Sequence, residues 1–430
     1  MTSSGLSSYA DSNQNGRSLK IDLSAWIFWL TFLLSYLFTR PLIVITSGIY
    51  RVGAVVFLLG LILVFSRLRL TNQQLLFGTL LLGIVVVISG IVNHSSLIQL
   101  SAFIRIPLTT YLVYYIVNIY FVDENRVLRV FRIMYWIALI QLPILVVQRL
   151  SYPYLPAQIK FSGIQGQLNI VDFAMGTFDG DAHMTFFLIA LLILLLFYDQ
   201  IGKIVKYKWF MAIWLTLTIF VGNSQIQQLT TAIIWFLFLL SHLKLKNIIL
   251  LGFGVALLMG TMTYLDNAGI LTFRPFKHTM ARATRVFSET GRQERIDEFM
   301  AGKQARDGAI YYYLEQDIKW IGDGPGRYYN TATRERTLGS WGHLFTFYAE
   351  VGIIGWLLSM IILFIIAFPL SIQPSKIKIS VSWVQVAMFI SISIVSIARY
   401  PMNTIPIIFT YCVTLIGYSI IAPQKWLRIF

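Results

Sequence analysis

Apolar residues in this chain come in long, nearly unbroken runs, and the polar positions are gathered into the short stretches between them. Neither the one-sided stripe of a surface helix nor the strict alternation of a half-buried strand describes such runs. They are the pattern of helices that cross ~30 Å of hydrocarbon. The runs predict twelve spans, near Leu23–Phe38, Val52–Ser66, Gln74–Val92, Pro107–Phe121, Ile133–Val147, His183–Tyr198, Trp209–Val221, Leu229–Ser241, Asn247–Tyr264, His343–Leu370, Val381–Ile397 and Thr404–Ile421. The expected organisation is a tail over 1–22, nine transmembrane helices over 23–264, an outer loop over 265–342, three more helices over 343–421 and a tail over 422–430. The fold class expected is all-α, a polytopic membrane protein with one large, partly helical external loop.

Composition agrees: of 430 residues, 57% are hydrophobic and only 12% charged, with a mean hydropathy of +0.70. Soluble folds carry about 25% charged residues, which excludes a soluble enzyme and a disordered or fibrous chain. The single cysteine, Cys412, excludes a disulfide framework or a cysteine-rich metal site within one chain. Charge then orients the spans. Lys and Arg number 34 against 19 Asp and Glu, a net +15. With the N-terminus inside, every internal connection is basic: Arg17 and Lys20; Arg67 and Arg69; Arg126, Arg129 and Arg132; Lys203, Lys206 and Lys208; Lys244 and Lys246; Lys376 and Lys378; Lys425 and Arg428. The short external connections hold only Arg40, Arg51, Arg105, Arg149, Lys160 and Arg399. This is the positive-inside bias, with both termini cytoplasmic, and it leaves no gathered soluble face for nucleic acid. The first 22 residues carry Arg17 and Lys20 just before the first apolar run, but no small-residue cleavage site follows, so they predict a cytoplasmic tail.

Candidate chemistry lies in the long outer loop. Its first half sets Arg274, Lys277, Arg282, Arg285, Arg292 and Arg295 against Glu289 and Glu294. Arg282 and Arg285, like Arg292 and Arg295, are three apart and share a face on a helix. Guanidinium forks fit phosphate oxygens, so such a face on the bilayer surface suits a pyrophosphate; anionic lipid headgroups or Asp297, Glu298 and Asp307 are the plainer partners. Further on, Trp320-Ile-Gly-Asp-Gly-Pro-Gly326 places Gly324 and Gly326 in a turn whose backbone can approach an anion, with Arg327 next. It lacks the Gly-Lys-Ser/Thr of a nucleotide loop.

His343 stands where the loop meets the tenth span, with Glu350 two helical turns below on the same face. Histidine accepts a proton near neutrality, and an ionisable group inside a span is a functional candidate, although an interfacial His is also commonly an anchor. Arg51 and Arg105 stand near outer span ends, where snorkelling explains them as well as substrate binding does. Asp172, Asp179, Asp181 and His183 match no metal-ligand spacing, and no metal or other cofactor is expected.

Together, the spans, the outer loop with Gly291-Arg292, the Trp320-Ile-Gly-Asp-Gly-Pro-Gly326 turn, and His343 opening a helix that continues as Glu350-Val-Gly-Ile-Ile-Gly355 resemble the O-antigen polymerase and O-antigen ligase superfamily. Gly176-Thr-Phe-Asp-Gly-Asp-Ala-His-Met-Thr-Phe-Phe187 is similar to a segment opening a middle span in that family, whereas Leu344 replaces the Asn that often follows the family's His. The resemblance implies a metal-independent glycosyltransferase of the bacterial inner membrane with its site on the periplasmic side. Its donor is a glycan on undecaprenyl pyrophosphate, its acceptor another lipid-linked glycan (polymerase) or lipid A-core (ligase), and a chain-length regulator is a candidate partner. By position it implies Arg292 on the pyrophosphate and His343 as the functional histidine. From another class, a secondary transporter or flippase predicts duplicated halves and broken helices near mid-membrane, and the sequence has no such duplication.

Overall fold

The computed structural model describes residues 22–37, 49–67, 70–151, 154, 175–178, 181–222, 225–242, 288–300, 317–325, 343–373, 376–398, 402, 404–422 and 426–428. The expected span Asn247–Tyr264, the tails before residue 22 and Arg282, Arg285, Gly326 and Arg327 lie outside the described residues, as does most of the long loop.

Within them are twelve α-helices: α1 Leu23–Tyr36, α2 Ile49–Arg67, α3 Gln73–Val92, α4 Leu97–Tyr120, α5 Glu124–Ser151, α6 Asp181–Phe197, α7 Lys208–Gly222, α8 Gln225–His242, α9 Glu289–Met300, α10 His343–Ala367, α11 Trp383–Ala398 and α12 Ile405–Ile421. Four segments are long and apolar enough to cross a membrane, Gln73–Val92, Leu97–Tyr120, Glu124–Gln148 and Phe347–Ala367, and seven shorter helices are apolar. The polar exception is α9.

Helix starts follow local chemistry. Asp22 caps α1, its Oδ1 accepting from the Ser24 and Ala25 amides. Asn72 caps α3 through the Leu75 amide (3.0 Å), and Ser96 with Gln99 forms a reciprocal capping box on α4. That box starts α4 ten residues before the expected Pro107. Arg105, expected near the end of a span, therefore lies eight residues inside a helix and is half-buried. Likewise α5 begins at Glu124, so Arg126, Arg129 and Arg132 ride on its first turns rather than in a loop.

Pro143 sits inside α5, where a proline deprives the carbonyl four residues back of its partner. Trp214 of α7 replaces it, donating from Nε1 to Leu139 O at 3.2 Å.

The centre of the bundle is α6 and α12. From Met184 to Leu196 nearly every α6 residue is fully buried, as are most of Ile405–Ile416, and a helix apolar on all sides belongs in a core. Around them pack α1, α4, α5, α7, α10 and α11, with polar groups paired at the contacts, as when Tyr36 OH of α1 meets Thr410 Oγ1 (3.0 Å) and Tyr411 OH of α12 donates to Leu363 O of α10 (3.0 Å). The outward faces instead carry Trp26, Phe65 and Phe77, each about two-thirds exposed or more (67%, 71% and 68%). Apolar outside with polar groups paired inside is what a lipid solvent selects.

One end of the bundle is charged and cross-linked. Asp22 meets Arg126 (3.3 Å) and Arg67 (3.9 Å), Glu124 meets Lys203 (3.2 Å), and Tyr198 OH donates to Ile421 O (3.4 Å). Strands β1 Leu370–Gln373, β2 Lys376–Ser380 and β3 Trp426–Arg428 form a small antiparallel meander, in order β1-β2-β3, following α10 and α12. This departs from the all-α expectation. Lys376-Ile-Lys-Ile-Ser380 alternates at period two, the strand rhythm, and the third strand comes from what reads as a free tail.

Candidate functional site

The break in α10 organises the described part of the candidate site. The sequence predicts one continuous helix from His343, but Gly352 adopts φ 83°, ψ −178° and splits it. That conformation belongs almost wholly to glycine. The half before the break exposes carbonyls and the half after it amides. In a membrane such groups must find partners within the protein.

The partners are supplied by a strap from the long loop, Lys319–Gly324. Asp323 N donates to Ala349 O (2.8 Å), Gly324 N to Glu350 O (3.0 Å), and Ile353 N to Lys319 O (2.9 Å). The strap thus completes the backbone bonding that the helix gives up. Gly322 at φ 78° and Gly324 at φ 94° are both required by contact. A Cβ on Gly322 would stand 2.5 Å from the Glu350 carbonyl carbon, and one on Gly324 2.7 Å from Asn93 Cβ. A Cβ on Gly352 would overlap the Trp320 carbonyl.

The end of α3 closes over this junction. Ser89 Oγ lies 2.7 Å from Ile321 O and 2.8 Å from Glu350 O, and Asn93 Nδ2 donates to Gly322 O (3.1 Å) and Ser89 O (2.8 Å). Lys319 Nζ bonds both carboxylate oxygens of Asp323 (2.7 and 2.8 Å), clipping the strap's two ends. Ser89, Asn93, Lys319 and Asp323 were not singled out by the sequence reading. A polar cluster following an apolar run, Asn93-His-Ser-Ser96, marks Asn93, and an i,i+4 opposite-charge pair marks Lys319 and Asp323; Ser89 lies inside the apolar run and carries no such signal.

Among the described residues expected at the site, Gly324 and Glu350 are brought together, bonded through the backbone. The Gly324 amide, offered to an anion by the sequence pattern, is occupied by that carbonyl. The Glu350 side chain is wholly buried beside the break. His343 opens the same helix, seven residues and ~10 Å of axis before Glu350. Arg292 stands on another element, α9, whose start is capped by Ser288 Oγ accepting from Gly291 N (3.1 Å). It is half-buried, and its Nε is buried with no hydrogen-bond partner among the described residues. Arg51 lies in the first turn of α2.

The upstream segment that opens α6 is fixed by two amides from one face of α5. Gln148 exchanges two bonds with Gly176, Nε2 to Gly176 O and Gly176 N to Oε1 (both 2.8 Å). Gln141 Oε1 accepts from Thr177 N (3.0 Å), and Thr177 Oγ1 donates to Tyr36 O (2.9 Å). Chemically, the break offers a carboxyl shielded from water and a turn that only glycines can form, and α9, a separate element, carries a cation with an unused donor.

Neither any protein-family model nor any curated protein sequence matches this chain.

Proposed function

We propose that the chain is a twelve-span glycosyltransferase of the bacterial inner membrane, with both termini cytoplasmic, that extends a glycan carried on undecaprenyl pyrophosphate. In this reading Arg292, with Arg282, Arg285 and Arg327 and the outer-end Arg51 and Arg105, gathers the donor's pyrophosphate. An acceptor hydroxyl attacks the anomeric carbon as the bond to the pyrophosphate oxygen breaks; its proton passes to His343, and undecaprenyl pyrophosphate leaves with the electron pair. Positive charge at the leaving group and a base at the nucleophile are what that displacement needs. Glu350, two turns below His343, tunes or orients it.

The observation that carries the reading is the strap in the Gly352 break. It fastens the glycine-rich part of the loop to the helix that His343 opens, so the two sequence features behind the resemblance belong to one rigid unit. Purified protein given only lipid-linked repeat units tests it. A ladder of longer products is expected, reduced at least ~100-fold, the effect of losing one positioned donor, in Arg292→Ala and in His343→Ala. Equal ladders from wild type and both variants would refute the residue assignment. Absence of a ladder until a second acceptor is added would indicate a ligase.

The same break also favours a second reading. Secondary transporters place broken helices at their substrate sites, and α10 is one. That reading requires flux of a solute or lipid across sealed vesicles with no change in covalent linkage.

A further inference from the structure

At the charged end of the bundle, α5, α7 and the turn between α6 and α7 enclose a groove of about 280 Å³. Two cations, Arg132 and Lys206, and no acidic residue are among the side chains that line it. Glu124 is engaged by Lys203 (3.2 Å). Arg132 bonds the Lys203 carbonyl (3.0 Å), which holds its guanidinium beside the turn that carries Lys206. Below the cations come aromatic and then aliphatic walls. Arg132, Trp136 and Leu139 occupy successive turns of α5, an axial descent of ~10 Å, with Tyr207 and Phe210 opposite. Trp136 is 69% exposed. The groove's apolar end runs onto the outward face of α7, where Phe210, Ile213, Leu217 and Phe220 are exposed.

We propose that this groove binds one anionic phospholipid, its phosphate between Arg132 and Lys206 and an acyl chain lying along Trp136, Leu139 and Phe210. The vertical order of the walls, cation, then amphipathic aromatic, then aliphatic, matches headgroup, interface and chain. A basic pocket between helices at a membrane surface is where anionic headgroups are held. A soluble acidic partner would satisfy the cations but leave the aliphatic wall without a match. The inference does not depend on the glycosyl-transfer reading.

Native mass spectrometry of the full-length protein in detergent tests it, titrating phosphatidylglycerol and phosphatidylcholine of identical chains. Wild type is expected to bind phosphatidylglycerol more tightly, and Arg132→Gln/Lys206→Gln to weaken it on the order of 30-fold, roughly fivefold per cation. Phosphatidylcholine binding should stay within about threefold in the same variant, which also reports that it is folded, because the apolar wall is untouched. The charge-conserving Arg132→Lys/Lys206→Arg protein should keep its phosphatidylglycerol. Equal binding of the two lipids by wild type, unchanged phosphatidylglycerol binding in the Gln variant, or parallel loss of both lipids overturns the proposal.

Discussion

Gly352→Ala is the most revealing single change, because one methyl group has to choose between two costs. If the strap stays, alanine must hold φ 83°, ψ −178°, a strain of ~1–3 kcal/mol, while its Cβ overlaps the Trp320 carbonyl. If the strap leaves, the three backbone hydrogen bonds from Asp323, Gly324 and to Lys319 are lost, about 1 kcal/mol each. Since the overlap comes on top of the strain, release is the cheaper exit. The penalty is then about 3 kcal/mol, a shift of roughly 100-fold in strap docking.

The assay is labelling by a maleimide of a cysteine placed at Pro325, which is buried beside the docked strap. The native Cys412 is buried and leaves the background clean. In the Gly352→Ala background the docked strap should give way, and labelling under native conditions should change by about that factor, with a lower thermal midpoint. Unchanged labelling together with an unchanged midpoint would refute the claim that the strap is held by the break.

Three further outcomes follow from the packing. Gly176→Ala should destabilise by about 2–3 kcal/mol, combining a left-handed backbone with the loss of the Gln141 contact, whereas Gly202→Ala, whose Cβ meets open space, should leave the thermal midpoint unchanged. Trp214→Phe should cost about 1–3 kcal/mol by stranding Leu139 O, and adding Pro143→Ala should recover much of it, because residue 143 then brings its own N–H to that carbonyl; a double variant no more stable than Trp214→Phe would contradict this origin. The Asp22 carboxyl is held below its ordinary value of 3.8, first by the Ser24 hydroxyl, against an opposing effect of burial, with the Ala25 amide and Arg126 also lowering it. Its contribution is therefore present above that ordinary value and lost as pH falls through the lower folded one. The difference in thermal midpoint between wild type and Asp22→Asn should be constant from pH 7 to about 5 and close below about 3.8.

Much of the helical layout was legible because lipid-facing helices must be apolar over their length. Eleven of the twelve expected runs coincide with described helices, and the remaining one falls outside the described residues. What escaped reading has physical causes. Hydropathy alone could not see that α5 starts at Glu124, since Arg126, Arg129 and Arg132 interrupt the run while lying on helical turns. The break at Gly352 is set by tertiary contact: glycine permits the conformation, but the strap and Ser89 make it favourable. The strands around Lys376–Ser380 carry their alternation openly, yet pair with a segment about fifty residues away. At the candidate site, Glu350 and Gly324 were visible as residue types, whereas Ser89 matters only through the Ile321 and Glu350 carbonyls, which no motif reveals.

The most direct measurement is elongation of undecaprenyl-pyrophosphate-linked repeat units by the purified protein in lipid nanodiscs, with products resolved by chain length. The account predicts a ladder from wild type and, with insertion and thermal midpoint unchanged, its loss in His343→Ala and Arg292→Ala. A wild-type ladder that both variants reproduce at the same rate, or no covalent transfer under any acceptor condition, would contradict it.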